Sequence, residues 1–185
     1  MVREIITPAD PRLRKKSKKI KKLDKKIKSI IKDLYDTLDA QKDPEGVGLA
    51  APQIGKNVQI FLMKFSKEDA KAHGEKSRSK IVINPKITHI KELKKKEAKK
   101  RREILEGCLS LPYFYGPLIR NEEVTIKYLD EEGNKQEQTF KGFPAQVVLH
   151  EIDHLNGTLF VDRLLEQGKP LYELKDEKWY EVDLG

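Results

Sequence analysis

The 185-residue sequence contains one cysteine, one tryptophan, two methionines and no long apolar segment. The single cysteine, Cys108, cannot form a disulfide within the chain, which is typical of proteins from reducing compartments. No apolar stretch approaches the roughly 20 residues of a membrane-spanning helix. The N-terminus lacks the apolar core of a secretory signal and carries Glu4 and Asp10, which are unusual in transit peptides. We therefore expect a cytoplasmic protein without membrane contact.

Length and composition indicate a single folded domain that spans residues 1–185. A chain of this size is expected to bury about 70% of the surface that its unfolded form exposes. Apolar and charged residues each make up 37% of the sequence, and this apolar content is too high for a disordered chain. Helical and β-like segments are mixed without regular alternation, which favours an α+β fold over a doubly wound parallel sheet.

Positive charge is concentrated in two segments of a chain whose net charge is +8. Arg12 to Asp33 contains twelve Lys or Arg against two Asp, and Lys91 to Glu103 contains eight against three Glu. Apolar residues recur at helical spacing in the first segment and just after it, which predicts a helix with one buried face: Ile20, Leu23, Ile27, Ile30, Ile31, Leu34 and Leu38.

The lysines of the first segment form either a solvated helix face or a surface for RNA or the ribosome, since clustered lysines near a polyanion gain from counterion release. The second segment, Lys91 to Arg102 in particular, is interpreted as a charged excursion or as a lysine-rich edge that discourages pairing between sheets.

Short β-like segments dominate the rest of the sequence. They predict strands at Val58–Phe65, Ile81–Ile90 and Trp179–Val182, and a hairpin of Val124–Leu129 with Gln136–Phe140. Ser66–Ser79 is interpreted as a surface loop or a short helix. Pro144–Asn156 is predicted to be helical, because proline suits the first turn of a helix and Gly157 suits the position just after its end.

The predicted helix contains the first motif that indicates chemistry, His150-Glu151-Ile152-Asp153-His154. Residues four apart lie one turn above each other on a helix, so both imidazoles can face one divalent metal. Glu151 can then reach a water bound to that metal. Two ordinary helix histidines are the alternative interpretation.

Cys108 is the natural third ligand, because catalytic metal sites use three protein ligands and keep one position open. Beside Leu109 and Leu111 it could instead be a small buried apolar residue. His73 and His89 have no partner at ligand spacing, and we interpret both as surface residues.

A third motif, Gly46-Val47-Gly48-Leu49-Ala50-Ala51-Pro52-Gln53, follows the first predicted helix. Its glycines allow a ligand to approach the backbone closely, and the Gln53 amide can donate a hydrogen bond to an oxyanion. The spacing matches neither the dinucleotide-binding nor the P-loop motif.

In this order, the three segments resemble the signature motifs of the peptide deformylases: a Gly-x-Gly-Leu-Ala-Ala-x-Gln loop, a Glu-Gly-Cys-Leu-Ser segment and a His-Glu-x-x-His helix. The likeness extends from Ile6 to Arg163. It implies an α+β fold in which antiparallel sheets pack around a central metal-binding helix. It also implies removal of the formyl group from N-formyl-methionyl nascent polypeptides, with release of formate.

The resemblance assigns roles to three groups of residues. Cys108, His150 and His154 would bind the metal, and Glu151 would be the general acid and base. Gln53 and the backbone NH of Leu109 would stabilise the oxyanion. The substrate side chain would lie near Val47, Gly48, Phe143 and Val147, and Arg120 would pair with Glu106. The donor set suits Fe(II), Zn, Co or Ni, and the resemblance favours Fe(II), with Zn or Ni substituting.

Several positions depart from the family pattern. Gln146 stands where an apolar residue or Arg is usual, and Leu149 where Gln is frequent. Tyr113-Phe114-Tyr115 either lines the mouth of the cleft or packs on the core. From Glu166 to Gly185 three Lys face six acidic residues, whereas some deformylases end in a basic helix that contacts the ribosome.

Two other functions are compatible with parts of the sequence. One is a different metal amidase or peptidase with the same helix motif. The other is a ribosome-binding or RNA-binding module with a structural metal. Glu151 and Gln53 argue against the second, because a structural site requires neither a base nor an oxyanion donor.

Overall fold

The computed structural model describes residues 1–91 and 104–183, which contain four α-helices and nine strands. The helices are α1 (Lys25–Ala40), α2 (Lys67–Ala72), α3 (Phe143–Leu155) and α4 (Phe160–Gln167), and 3₁₀ turns occupy Pro11–Arg14 and Ala51–Ile54. The strands are β1 (Gly48–Ala50), β2 (Ile60–Lys64), β3 (Ser79–Lys91), β4 (Ile104–Cys108), β5 (Leu111–Leu118), β6 (Glu123–Leu129), β7 (Lys135–Lys141), β8 (Leu171–Lys175) and β9 (Lys178–Val182).

The strands form two antiparallel sheets, one in the order β1-β2-β3-β6-β7 and the other in the order β4-β5-β8-β9. Alternate residues of β2 point to opposite faces of the first sheet. Phe61 and Met63 pack in the core cluster that contains α3, whereas Ile60 and Leu62 pack in the cluster that contains α1. The first sheet therefore lies between α1 and α3, which confirms the predicted α+β fold.

The predicted basic helix begins later than the apolar periodicity suggested. Asp24 caps α1, and its side chain accepts a hydrogen bond of 3.0 Å from the backbone N–H of Ile27. Ile20 and Leu23 precede this cap, although both still pack against the α1 cluster. The prediction was wrong at this boundary because residues outside a helix can contact the same core.

The predicted helix that carries the His-Glu-x-x-His motif is confirmed as α3. Gly142 at its start has a φ of +62°, Pro144 lies in the first turn, and Asn156 ends the helix. The next residue, Gly157, has a φ of +77°, and a Cβ there would lie 2.7 Å from the carbonyl carbon of Arg14. Glycine at this position therefore lets the chain turn and pass close to the N-terminal segment.

The other predicted elements are confirmed within two residues at each end, including the hairpin β6–β7, the long strand β3 and the closing strand β9. The Ser66–Ser79 segment contains the short helix α2. Of the second basic segment, Lys91 ends β3 and residues 92–103 lie outside the described residues. No helix within residues 1–91 and 104–183 is long and apolar enough to cross a membrane.

Candidate active site

Three potential metal ligands meet where α3 passes the end of β4. Cys108 is the last residue of β4, and His150 and His154 lie one turn apart on α3. The Sγ of Cys108 lies 3.2 Å from the Nε2 of His154, which lies 3.1 Å from the Nε2 of His150. All three donor atoms lie within 4.8 Å of one another. The sheet and the helix thus bring together residues that are distant in sequence.

Glu106 fixes the orientation of the His150 ring. The Nδ1–H of His150 donates to Oε1 of Glu106 at 2.6 Å, so the other ring nitrogen, Nε2, faces Cys108 and His154. Burial disfavours a charged ring, but the Glu106 carboxylate and the Cys108 sulfur together raise the pKa of His150 well above its usual value. Burial and the neighbouring His150 lower the pKa of His154 well below its usual value.

A buried network of charges supports Glu106. The Arg120 guanidinium donates to both carboxylate oxygens of Glu106, at 2.6 and 2.7 Å, and this is the pair that the resemblance implied. Arg120 also contacts Asp153 at 2.9 Å, and Arg163 of α4 donates to Asp153 at 2.7 Å. Burial opposes ionisation of Glu106, but His150 and Arg120 hold its pKa well below its usual value.

The donor set fits a divalent metal ion. A thiolate and two neutral imidazoles are ligands that suit Zn, Fe(II), Co and Ni. The sulfur and the two imidazole donor atoms lie within 4.8 Å of one another, so one cation between them could take a lone pair from each. A carboxylate that fixes the second nitrogen of a ligating histidine is typical of metal centres.

Glu151 lies on α3 beside these ligands and is almost completely buried, with 3% of its surface exposed. Burial raises the pKa of its carboxyl to about 7, although the nearby His150 opposes this shift. Its Oε2 is buried and makes no hydrogen bond within the described residues. A carboxyl with a pKa near neutrality can both accept and donate a proton at physiological pH.

Gly48 of β1 leaves room for the Glu151 side chain. A Cβ on Gly48 would overlap Oε1 of Glu151, and it would lie 2.9 Å from the carboxyl carbon and 3.1 Å from Cγ1 of Val147. The glycine of the sequence motif therefore has a steric reason that is specific to this site. Because Gly48 has no side chain, the Glu151 carboxyl can occupy the space next to β1.

We expect Gly48→Ala to lower kcat/KM by about 100-fold, because a methyl group would displace the Glu151 carboxyl, and to destabilise the fold by about 1–3 kcal/mol through overpacking. Steady-state kinetics, thermal unfolding and metal analysis check this. Gly74→Ala is the control, since its Cβ would meet nothing within 4 Å. Its φ of +68° strains any side chain, so this variant also tests the effect of backbone strain alone. The control should lose some stability and keep its turnover. Equal turnover in both variants would contradict the steric argument.

Gln53 is buried behind the cysteine. Its Oε1 accepts from the backbone N–H of Ala50 at 2.8 Å, which points its Nε2 toward Ser110 Oγ at 3.2 Å and Cys108 Sγ at 3.5 Å. The amide donor is thus oriented next to the candidate ligand. Sequence reasoning gave Ser110 no role, although it ends the Glu-Gly-Cys-Leu-Ser motif, because its contact with Gln53 depends on tertiary packing.

A cleft of about 260 Å³ opens beside these groups, slightly smaller than the range of about 300–1,000 Å³ for small-molecule sites. Gln53, Cys108, His150 and Glu151 line it together with Leu109 and the four residues expected around the substrate: Val47, Gly48, Phe143 and Val147. Val47 and Phe143 stay 40% and 42% exposed, whereas Val147 is 5% exposed. An apolar rim therefore surrounds a polar floor.

The aromatic segment after Cys108 satisfies both sequence interpretations. Tyr113, Phe114 and Tyr115 all line the cleft. Phe114 also packs against the core cluster of the second sheet, whereas Tyr113 remains 44% exposed. Gln146 lines the cleft as well, and its amide donates to Glu106 at 3.1 Å.

The two other histidines lie apart from the cluster. His89 is exposed on β3, as predicted. His73 is half-buried, so it lies at the surface with part of its ring covered. Its ring packs near Phe65 and Phe140, with centroid distances of 6.1 and 6.0 Å, and its Nε2 accepts from the backbone N–H of Lys141 at 3.2 Å.

Comparisons with known proteins agree with this geometry. A sequence model of the family described as polypeptide deformylase matches residues 2–170. A peptide deformylase from Pseudothermotoga lettingae is 41% identical over 162 residues, which cover 88% of this chain and 82% of that protein. A peptide deformylase from Thermomicrobium roseum is 40% identical over 177 residues, which cover 96% and 93%.

Solved structures give the same result. The crystal structure of an Ehrlichia chaffeensis peptide deformylase in complex with actinonin is similar with a TM-score of 0.75 and 33% sequence identity. The match covers 88% of each chain. The family resemblance found in the three sequence motifs is thereby confirmed.

Proposed function

The chain belongs to the polypeptide deformylase family, and from this premise we propose that Cys108, His150 and His154 hold its metal while Glu151 transfers the proton during catalysis. The activity of the family, and of this chain, is metal-dependent removal of the formyl group from N-formyl-methionyl nascent polypeptides. One observation supports the residue assignment. One sulfur and two Nε2 atoms lie close together beside a buried carboxyl at the floor of a cleft.

The three ligands and the fixed tautomer of His150 favour a divalent ion. When bound, such an ion acts as a Lewis acid and lowers the pKa of water toward neutrality. The donor set accepts Fe(II), Zn, Ni and Co. We propose Fe(II) as the native metal because the family resemblance favours it, and the other three ions as substitutes. Elemental analysis after anaerobic purification tests this assignment, and protein isolated in this way with stoichiometric Zn and no iron would contradict it.

Glu151 accepts a proton from the water that attacks the formyl carbon, because its carboxyl lies in the cleft and has a pKa near neutrality. The water oxygen becomes the second oxygen of formate, and the bond between the formyl carbon and nitrogen breaks. Glu151 returns the proton to the departing amine of methionine. The Nε2–H of Gln53 and the backbone N–H of Leu109 donate to the formyl oxygen as negative charge develops there.

We assign the methionine side chain to the apolar part of the cleft, near Val47, Gly48, Phe143 and Val147. The peptide backbone would extend along β1, whose motif combines an exposed Val47 with a glycine that allows close approach. Residues 1–185 would act as one domain. Because formyl-methionyl chains emerge from the ribosome, we place the activity in the cytoplasm.

Substrate specificity tests the proposed function directly. The protein should release formate from formyl-Met-Ala-Ser and should cleave neither acetyl-Met-Ala-Ser nor the unmodified peptide. Formate release and the appearance of a free amine should be equimolar. Cleavage of an internal peptide bond, or equal turnover of the acetylated peptide, would instead identify a general amidase or peptidase.

We also propose transient contact with the ribosome through the first basic segment. Nine lysines between Lys15 and Lys28 are exposed, and within the described residues none of these side chains is in an ion pair: Lys15, Lys16, Lys18, Lys19, Lys21, Lys22, Lys25, Lys26 and Lys28. Such a surface binds RNA phosphates chiefly through counterion release. The acidic C-terminal segment cannot serve the same purpose.

Replacement of Lys18, Lys19, Lys21 and Lys22 by glutamine should weaken binding to purified ribosomes. The slope of log affinity against log salt should fall by about 1 for each lysine that contacts a phosphate. Cosedimentation at several salt concentrations measures both quantities. Glutamine at the exposed Lys175 and Lys178 of the second sheet is the control. Unchanged binding by the quadruple variant, or equal losses in both, would refute this contact.

A further inference from the structure

The second sheet has one face that is aromatic and partly exposed. Tyr115 on β5 lies on the same face as Tyr172 and Leu174 on β8 and Trp179 on β9, because paired residues of antiparallel strands share a face. Tyr113 of β5 has a φ of +67° that breaks the alternation, and it adjoins this face in the lining of the cleft. Leu105 on β4, which pairs with Pro117, belongs to the same face. We call these six residues the aromatic face: Leu105, Tyr113, Tyr115, Tyr172, Leu174 and Trp179.

The opposite face of this sheet forms a core. Leu118 and Leu171 pack there against Phe160 and Leu164 of the α4 helix, with Phe114 and Val182 beside them. The aromatic face consequently points away from that core. Leu105 and Tyr113 are each 44% exposed, and Trp179 is 49% exposed. Exposed apolar groups that are contiguous usually mark a binding surface.

The aromatic face begins inside the catalytic cleft. Leu105, Tyr113 and Tyr115 line the cleft. The Tyr115 ring lies against Gly107, where a Cβ would be 2.7 Å from two ring carbons, and Gly107 directly precedes Cys108. The rings of Tyr115 and Trp179 meet edge to face, with centroids 5.5 Å apart. An aromatic path therefore runs from the candidate metal ligand to the edge strand β9.

We propose that the aromatic face binds the part of the nascent peptide that follows the first residues after methionine, with a preference for apolar and aromatic side chains. This inference depends on the proposed function, in which the formyl group is held beside Glu151. The rest of the peptide must then leave through the open side of the cleft. β9 lies three strand spacings from β4, roughly 14 Å, a distance that about four residues of extended peptide span. Trp179 is thus positioned to contact side chains near the fifth residue.

Continuity with the cleft favours the peptide over a second copy of the chain as the occupant. A protein partner seated on this face would cover Leu105 and Tyr113, which form the rim through which the substrate enters. A peptide bound in the cleft also contacts this rim, but it does not block substrate entry because it is itself the substrate. Stacking on aromatic side chains also tolerates varied sequences, as a nascent-chain enzyme requires.

The test compares two substrates and two variants. The substrates are formyl-Met-Ala-Ser and a peptide of seven residues in total that begins with the same three residues and has Phe at positions five and six. We expect Trp179→Ala to lower the ratio of kcat/KM for the long peptide over the short one by about fivefold to tenfold, mostly through KM. Tyr180→Ala is the matched control, since Tyr180 is equally exposed but its side chain is on the other face. It should keep the wild-type ratio.

A second measurement avoids altering β9. Trp179 is the only tryptophan of the sequence, so its fluorescence reports on the aromatic face. In Glu151→Ala protein, which should not consume substrate, the long peptide should change this emission saturably and the short one should not. An unchanged signal at saturation, an equal ratio in both variants, or dimerisation that Trp179→Ala abolishes would overturn the inference. Failure of wild-type protein to deformylate the short peptide would count against the proposed function instead.

Discussion

Replacement of Glu151 by alanine is expected to lower kcat by about 10²–10⁴-fold, the range usual for loss of a positioned general acid and base. The carboxyl is buried at the floor of the cleft, and one of its oxygens makes no hydrogen bond within the described residues. No contact that the structure gives to this side chain holds the ligands in place. The variant should therefore retain its metal while it loses turnover.

Single-turnover kinetics and elemental analysis on the same preparation separate these two properties of Glu151→Ala. Glu151→Gln should be similarly slow, since an amide preserves the shape of the side chain and cannot transfer the proton. Glu132→Ala, in the exposed turn between β6 and β7, controls for the loss of one negative charge. A metal-replete Glu151→Ala protein with wild-type kcat would exclude Glu151 as the acid and base.

The helical half of the site was predictable from local sequence. Two histidines four residues apart must lie on one side of any helix, and Pro144 and Gly157 delimit that helix. The continuous apolar runs Ile60–Met63 of β2 and Ile81–Ile83 of β3 likewise predict strands that are buried on both faces. Such features depend only on residues that are close together in the chain, so tertiary packing has little influence on them.

The support of the site was less predictable, because it depends on strand register. Residues 104–118 carry no alternation clear enough to predict β4 and β5, yet their pairing places Glu106 beside Arg120 and His150. The same register puts Tyr115 on the face that Trp179 shares. A shift of one residue would send each of these side chains to the opposite face of the sheet.

Cys108→Ala is expected to abolish both metal binding and turnover. In the proposed site the sulfur is one of three ligands, and two imidazoles alone give a far weaker site, with metal affinity lower by more than about 100-fold. The sulfur also lies 3.2 Å from His154 and 3.5 Å from the Gln53 amide, so its removal disturbs both of these side chains as well. No other cysteine of the sequence can replace it.

Metal content and thermal unfolding give readouts of the Cys108→Ala variant that do not depend on activity. A ligand that binds only the folded protein raises its melting temperature by mass action, so added Zn or Fe(II) should stabilise the wild type and leave the variant unaffected. Ser110→Ala is the neighbouring control, since it removes a contact of Gln53 but no metal ligand. A Cys108→Ala preparation that holds one metal ion per chain would show that the ligand set is different. If the Ser110→Ala control lost its metal too, the segment as a whole, rather than the sulfur, would be what holds the ion.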